Sequence, residues 1–256
     1  MTARPHAHLA RAALVAALTL SALAPAAARA DAPPAPKDLL AGADRARGGV
    51  DGGLTWTVEV TSEEDGDQST RTYRVKARGD DALAEVTAPA RKAGEILLFN
   101  DRNLWFVKPG LRRPVSLSTR QKLSGMASNG DIATTRYARD YDGTIAGEEQ
   151  VGGEAAWRLD LVAKAKSVTY DRIRYWIAKG SGLALKAEFL TVSGEVFKTA
   201  TFEYGAKLAL DGHDVPLVSK MVIRDQAGGA TTTLVFKDAK AESHAPSLFN
   251  VNAIVR

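Results

Sequence analysis

Histidine is the first residue to examine for chemistry, and beyond the first thirty residues the chain has only His213 and His244. His213 beside Asp214 could make a general base held by a carboxylate. It lies in Asp211-Gly212-His213-Asp214, whose composition is that of a hairpin turn, so it reads as a solvated turn residue. No G-x-S-x-G elbow and no S-x-x-K pair occurs, and Gly180-Ser181-Gly182 reads as a turn between strands. Asp65-Gly66-Asp67 begins like a calcium loop but lacks the later ligands and the distal glutamate. Gly48-Gly49 and Gly52-Gly53 are not followed by the G-K-[ST] of a phosphate loop. With no cysteine, thiolate metal sites and disulfides are ruled out. Catalytic, metal and cofactor sites are therefore not expected.

The remaining candidates are apolar. Aromatic and large aliphatic residues are spread over many strand-like segments. The expectation is that one concave sheet face stays open, or is lidded by a helix, and takes an apolar ligand. The lining candidates are Trp56, Val58, Tyr73, Ile96, Leu98, Trp105, Phe106, Met126, Phe189, Phe202, Met221 and Phe236. Arg112-Arg113 could meet lipid head groups or an acidic partner, the alternative being a plain surface pair. Arg172 and Arg174 alternate with Ile173 and Tyr175 and read as an outer strand face.

These residues have to be positioned by the stretch from Gly94 to Ser116. Two apolar runs, Ile96–Phe99 and Leu104–Val107, are separated by Asn100, Asp101 and Asn103, which is a strand–turn–strand pattern. Neither run alternates, so both faces must be covered, either by more core or by something bound. The second run stops at Pro109-Gly110. This hairpin is expected to floor a greasy cavity around which the chain wraps.

The chain of 256 residues opens with a signal-peptide pattern over residues 1–30. Arg4 and Arg11 precede the apolar run Ala12–Ala22, and Ala28-Arg29-Ala30 is a small-x-small cleavage site. That segment carries three arginines and no acid, so 34 Lys+Arg against 30 Asp+Glu become 31 against 30 after cleavage. A net charge of +1 gives no electrostatic reason to expect nucleic acid. An exported chain without disulfides needs a substantial core, which about 225 residues can supply.

Residues 31–53 read as an Ala/Pro leader and a short helix from Pro36 or Lys37 to about Arg47, broken by glycines. From Leu54 the period becomes two, with Leu54, Trp56, Val58 and Val60 on one face. A meander follows through Tyr73–Ala77, Ala82–Thr87 and the hairpin. Ser118–Asn129 reads as an irregular loop and Ile132–Arg139 as a short helix capped by Asp131. Strands resume at Tyr141–Ala146, Ala155–Val162, Tyr170–Ile177, Leu183–Leu190, Val196–Tyr204, Val215–Ile223 and Thr231–Lys237. Eleven or twelve short strands and two brief helical pieces describe one curved antiparallel sheet, a mostly β member of the α+β class, in a single domain over 54–256.

The order of motifs resembles the LolA-like outer-membrane lipoprotein-sorting proteins, particularly the larger proteobacterial branch. The resemblance runs from about Asp80 to Arg256. It rests on Trp105-Phe106-Val107-Lys108-Pro109, Leu111-Arg112-Arg113-Pro114-Val115-Ser116, the Met126-Ala127-Ser128-Asn129 loop and Asp140-Tyr141. Gly147-Glu148-Glu149, Trp157-Arg158-Leu159-Asp160-Leu161 and Tyr170–Ile177 continue it, and Leu185–Glu188, Ser193–Lys198 and Ser247-Leu248-Phe249 complete it. The resemblance implies an incomplete antiparallel barrel whose concave face is closed by helices. It implies a monomeric, non-catalytic periplasmic carrier of lipoprotein or lipid acyl chains, served by an inner-membrane transporter and an outer-membrane acceptor. A sensor of mislocalised lipoprotein, acting through protein contacts on the same fold, is the alternative. One buried chain of about 16 carbons is worth roughly 12 kcal/mol. Three would give roughly 36 kcal/mol, beyond the practical ceiling on affinity, so partial burial and a movable lid are expected.

Overall fold

A computed structural model describes residues 33–133, 135–210 and 212–254. The expected signal peptide and its cleavage site, with Asp31, Ala32 and Asp211, lie outside them. Helix α1 (Pro36–Ala46) starts with proline at its first position, where no amide partner is needed, and carries Asp38 in its first turn and Arg45 in its last. Leu40, Ala43 and Asp44 fall three and four apart on one buried face. Gly48, at φ +86°, then turns the chain against the Trp56 ring, where a Cβ would come 2.5 Å from Cη2. Only glycine fits there without displacing the ring.

The meander follows as β1 (Leu54–Glu64), β2 (Asp67–Arg78), β3 (Asp81–Ala88), β4 (Ile96–Asn100), β5 (Asn103–Val107) and β6 (Val115–Leu117). Two short pieces, β7 (Lys122–Ser124) and β8 (Ala127–Ser128), pair with each other, and α2 (Tyr137–Asp140) leads into β9 (Tyr141–Val151). Then come β10 (Glu154–Ala163), β11 (Arg172–Ala178), β12 (Ala184–Leu190), β13 (Val196–Glu203), β14 (Ala206–Leu210), β15 (His213–Leu217), β16 (Lys220–Asp225) and β17 (Ala230–Ala241). A 3-10 turn, Pro246–Phe249, and α3 (Val251–Ile254) follow.

Thirteen of these strands form one antiparallel sheet in the order β6-β5-β4-β3-β2-β1-β17-β16-β13-β12-β11-β10-β9. The sheet is strongly curved and, with β6 and β9 left as edges, does not close into a barrel. The three-residue β6 is the strand that the hydrophobic pattern does not announce, because only Leu117 of its residues is drawn toward the core. Strand β1 sits mid-sheet between β2 and β17, and its Leu54, Trp56, Val58 and Val60 all face the main core.

Two expectations are corrected. The apolar stretch Val215–Ile223 is not one strand. Leu217 and Val218 are buried consecutively, which breaks the alternation, and the Val218 amide donates to the carbonyl of Ala46 at the end of α1 (2.8 Å). The helix expected over Ile132–Arg139 is only the four-residue α2. The Asp131 carboxylate, expected as its cap, instead accepts from the Ser128 amide (2.8 Å) and the Tyr170 hydroxyl (2.6 Å).

Candidate functional site

The hairpin of β4 and β5 has two apolar faces with different cover. Leu97 pairs with Phe106 and Phe99 with Leu104, and this face belongs to the main core. Leu98 pairs with Trp105 on the other face. There Leu83, Leu98, Ile96 and Trp105 pack against Phe249, Leu248, Val251 and Ile254 of the C-terminal segment. Ile96, Leu98 and Trp105 therefore do not share a hollow with Phe106, which corrects the expected lining. The cover that a two-sided strand demands is the end of the same chain.

Beside Phe106 a hollow of about 420 Å³ is left unfilled. Strands β2 to β6 contribute Tyr73, Val86, Leu97, Phe106 and Leu117, and the segment after β6 contributes Leu123 opposite them. That segment is fixed by its backbone and by buried polar contacts. The Asn129 amide donates to the Gln121 carbonyl (2.9 Å) and the Gly130 amide to that of Thr119 (3.0 Å). Ser62 and Ser124 share a hydroxyl hydrogen bond (3.0 Å), and the Met126 amide donates to Thr232 Oγ1 (2.8 Å). Lys198, 2% exposed, donates Nζ to the Met126 carbonyl (2.7 Å) and Ser128 Oγ (3.2 Å), with Asp131 Oδ2 at 3.7 Å. Its ammonium also lies 4.6 Å from the centre of the Tyr170 ring. Desolvation holds the Lys198 pKa below the usual lysine range, and Asp131 opposes that fall. Burial raises the Tyr73 hydroxyl's pKa where it meets the hollow.

The other lining candidates lie in the filled part of the core. Trp56 packs at a tilt against Phe236 (centroids 4.9 Å apart) and Phe189 against Tyr170 (4.0 Å). Val58, Phe202 and Met221 are buried with them, and half-buried Met126 packs at the margin of this cluster. The end of α1 delivers Arg47 into the cluster, with its guanidinium 4.4 Å from the Phe202 ring centre. Arg47 donates to the Tyr175 hydroxyl (3.2 Å) and reaches Met221 Sδ at 3.9 Å. Of the twelve candidates, Tyr73 and Phe106 line the hollow. Arg71, Val86, Leu97, Leu117 and Leu123, with the polar Glu95, Gln121, Lys122 and Asn129, line it without having been singled out as lining. The Leu97–Phe106 register was the available signal for one of them.

Asp44, one turn before Arg47, is buried and accepts from the Ala138 amide through Oδ2 (2.8 Å), while its Oδ1 has no hydrogen-bond partner among the described residues. Burial pushes its carboxyl from 3.8 up to about 6, against the opposing amide hydrogen bond from Ala138 and the charges of Arg47 and Arg136. A carboxyl that binds its proton more tightly when folded makes stability fall as pH rises from about 4 to about 6. Asp44→Asn is therefore expected to gain on the parent over that window by up to about 3 kcal/mol, since a tenfold change in proton affinity is worth about 1.4 kcal/mol. Denaturant midpoints of both proteins at pH 4, 5 and 7 measure it, and a constant gap would contradict the assignment.

Arg112 and Arg113 are exposed in the turn before β6, flanked by exposed Leu111 and Val115. His213 is exposed at the start of β15, and His244 is buried with Nε2 3.0 Å from Thr55 Oγ1. Among the described residues, no three acidic or histidine side chains cluster to hold a metal, and no helix is long and apolar enough to cross a membrane.

The family model that matches this chain, over residues 78–256, is described as an uncharacterized protein. No curated protein matches it in sequence. Among solved structures, a LolA superfamily protein from Nitrosomonas europaea superposes with a TM-score of 0.76 at 26% identity, over 84% of this chain and 97% of the other. A domain assigned to outer-membrane lipoprotein sorting from Vibrio parahaemolyticus gives a TM-score of 0.72 at 22% identity, over 86% and 98%. A DUF1329 family protein from Desulfovibrio piger gives 0.71 at 21%, over 85% and 97%. The last two show a shared fold.

Proposed function

From the premise that this chain belongs to the LolA-like superfamily, we propose that it is a periplasmic carrier that takes acyl chains of lipoproteins or lipids into the hollow beside Phe106 for transfer toward the outer membrane. The observation that carries the proposal is the contrast within one concave face. Around Trp56 and Phe236 the protein fills its own interior, whereas around Phe106 about 420 Å³ floored by aliphatic and aromatic carbon and rimmed by Arg71, Glu95, Gln121, Lys122 and Asn129 is left open. Ligand sites typically run from about 300 to 1,000 Å³ and are walled in this way. Each methylene removed from water there contributes about 0.8 kcal/mol, so a single chain suffices for useful affinity. The partly open site also leaves a route for release.

Export follows from the sequence of residues 1–30, with cleavage after Ala30. Arg112 and Arg113, with Leu111 and Val115 beside them, supply a contact for a head group or for a transporter or acceptor protein. Room for additional chains requires α1 to withdraw Arg47 from Phe202 and Tyr175, which would open the Trp56–Phe236 part of the core. Native mass spectrometry of the protein purified from its own periplasm tests the carrier reading. The expected spectrum contains the mature chain plus the mass of an acylated molecule. Mature chain that stays at its bare mass and takes up no added acylated peptide would overturn the reading.

A further inference from the structure

The hollow beside Phe106 has an apolar floor and a rim carrying cations. Arg71, Glu95 and Lys122 stand at the rim. Lys122 is paired with Glu64 (2.9 Å) and Glu95 with Lys108 (3.6 Å). Arg71 makes no ion pair among the described residues, and its Nη1 donates to the Leu123 carbonyl at 3.3 Å. Arg91 and Lys92 follow β3 on a 3-10 turn, outside the lining of the hollow. Desolvation, then like charge from Arg71, Arg91 and Lys108, lowers the Lys92 pKa against the single opposing charge of Glu95. Of the two cations lining the hollow, Arg71 and Lys122, Arg71 is thus the one without a carboxylate partner among the described residues.

A plain hydrocarbon would use only the floor, and a free inorganic anion only the rim. We propose that the hollow binds an anionic single-chain amphiphile, with a carboxylate or phosphate head against Arg71 and its acyl tail along Leu97 and Phe106. This rests on the acyl-carrier reading and adds the charge of the head to it. A guanidinium suits either head because its forked donors match two oxygens at once. One chain matches a volume at the lower end of ligand sites, about 300 to 1,000 Å³.

Calorimetry on the purified protein with dodecyl phosphate, laurate, dodecylphosphocholine and inorganic phosphate separates the possibilities. The expected result is at least about tenfold tighter binding of dodecyl phosphate or laurate than of the zwitterionic dodecylphosphocholine, with the gap closing at about 1 M salt as screening shortens to about 3 Å. Whichever anionic probe shows the gap identifies the head. Arg71→Gln should erase the gap by weakening the anionic probes more than dodecylphosphocholine, and Arg71→Lys, a point charge without the fork, should keep only part of it. Should Arg71→Gln fail to fold, the salt dependence of the parent and the lysine variant carry the test. Equal affinity for anionic and zwitterionic probes would overturn the anionic preference and leave the acyl carrier standing. Inorganic phosphate binding as tightly as dodecyl phosphate would also overturn the proposal, making the rim a free-anion site. Binding of no amphiphile would defeat both readings.

Discussion

Asp131→Ala is expected to destabilise the protein by about 3–5 kcal/mol, because it removes the carboxylate partner of a buried ammonium. Lys198 and Asp131 both have side chains 3% exposed, so water cannot replace the lost partner. The same substitution takes the acceptor from the Tyr170 hydroxyl (2.6 Å) and from the Ser128 amide (2.8 Å). An unpaired buried group costs more than its hydrogen bond contributed. Pairing the change with Lys198→Met should recover a large part of the loss, since the stranded charge is then gone. A double-mutant cycle from urea midpoints measures the coupling, and additive losses would contradict a shared network. The location gives the loss a functional consequence. Lys198 and Asp131 hold Met126 and Ser128, at the end of the segment that borders the hollow. Acyl-chain affinity should therefore fall in any Asp131 variant that remains folded.

Phe106→Glu is expected to lower acyl-chain affinity at least about a hundredfold, because a carboxylate in the apolar floor must be desolvated or must exclude the tail. Phe106 is only half-buried, so the folded state can keep the new charge in contact with water when no ligand is present. Trp105→Glu provides the control, one residue away and on the other face. It should damage the packing around Leu98 and Phe249 and cost stability, yet leave the affinity of the surviving folded protein within about twofold. Equal loss of binding in both variants would mean that the two faces have been assigned wrongly or that binding is lost through unfolding. Thermal melts beside each titration distinguish these.

Much of the sheet was legible because β1 and β2 alternate cleanly, and because Asn100, Asp101 and Asn103 mark the turn between β4 and β5. The demand that Ile96–Phe99 be covered on both faces was also legible. The identity of the cover was not, since local pattern does not say that Phe249, about 150 residues later, returns to Leu98. β13 shows what tertiary context adds to local pattern. Along Val196-Phe197-Lys198-Thr199-Ala200 the usual placement of aromatic and cation is inverted: Phe197 is 38% exposed and Lys198 is buried on the face it shares with Ala200 and Phe202. That inversion depends on Asp131 and Met126 arriving from another part of the chain, as does the role of Asp131 itself. The hollow was the least legible feature. Trp56, Phe189, Phe202, Met221 and Phe236 carry the same chemistry as its walls, and local pattern does not say that Arg47, from the end of α1, packs among them 4.4 Å from the Phe202 ring centre.

Methyl-resolved NMR of the protein titrated with stearate bearing a nitroxide on its tail tests the location of the site most directly. Broadening confined first to Val86, Leu97, Leu117 and Leu123, which wall the hollow, is the result expected of an acyl chain lying beside Phe106. Broadening centred instead on Leu98, Leu248, Val251 and Ile254 around Phe249, or none at saturating probe, would contradict it.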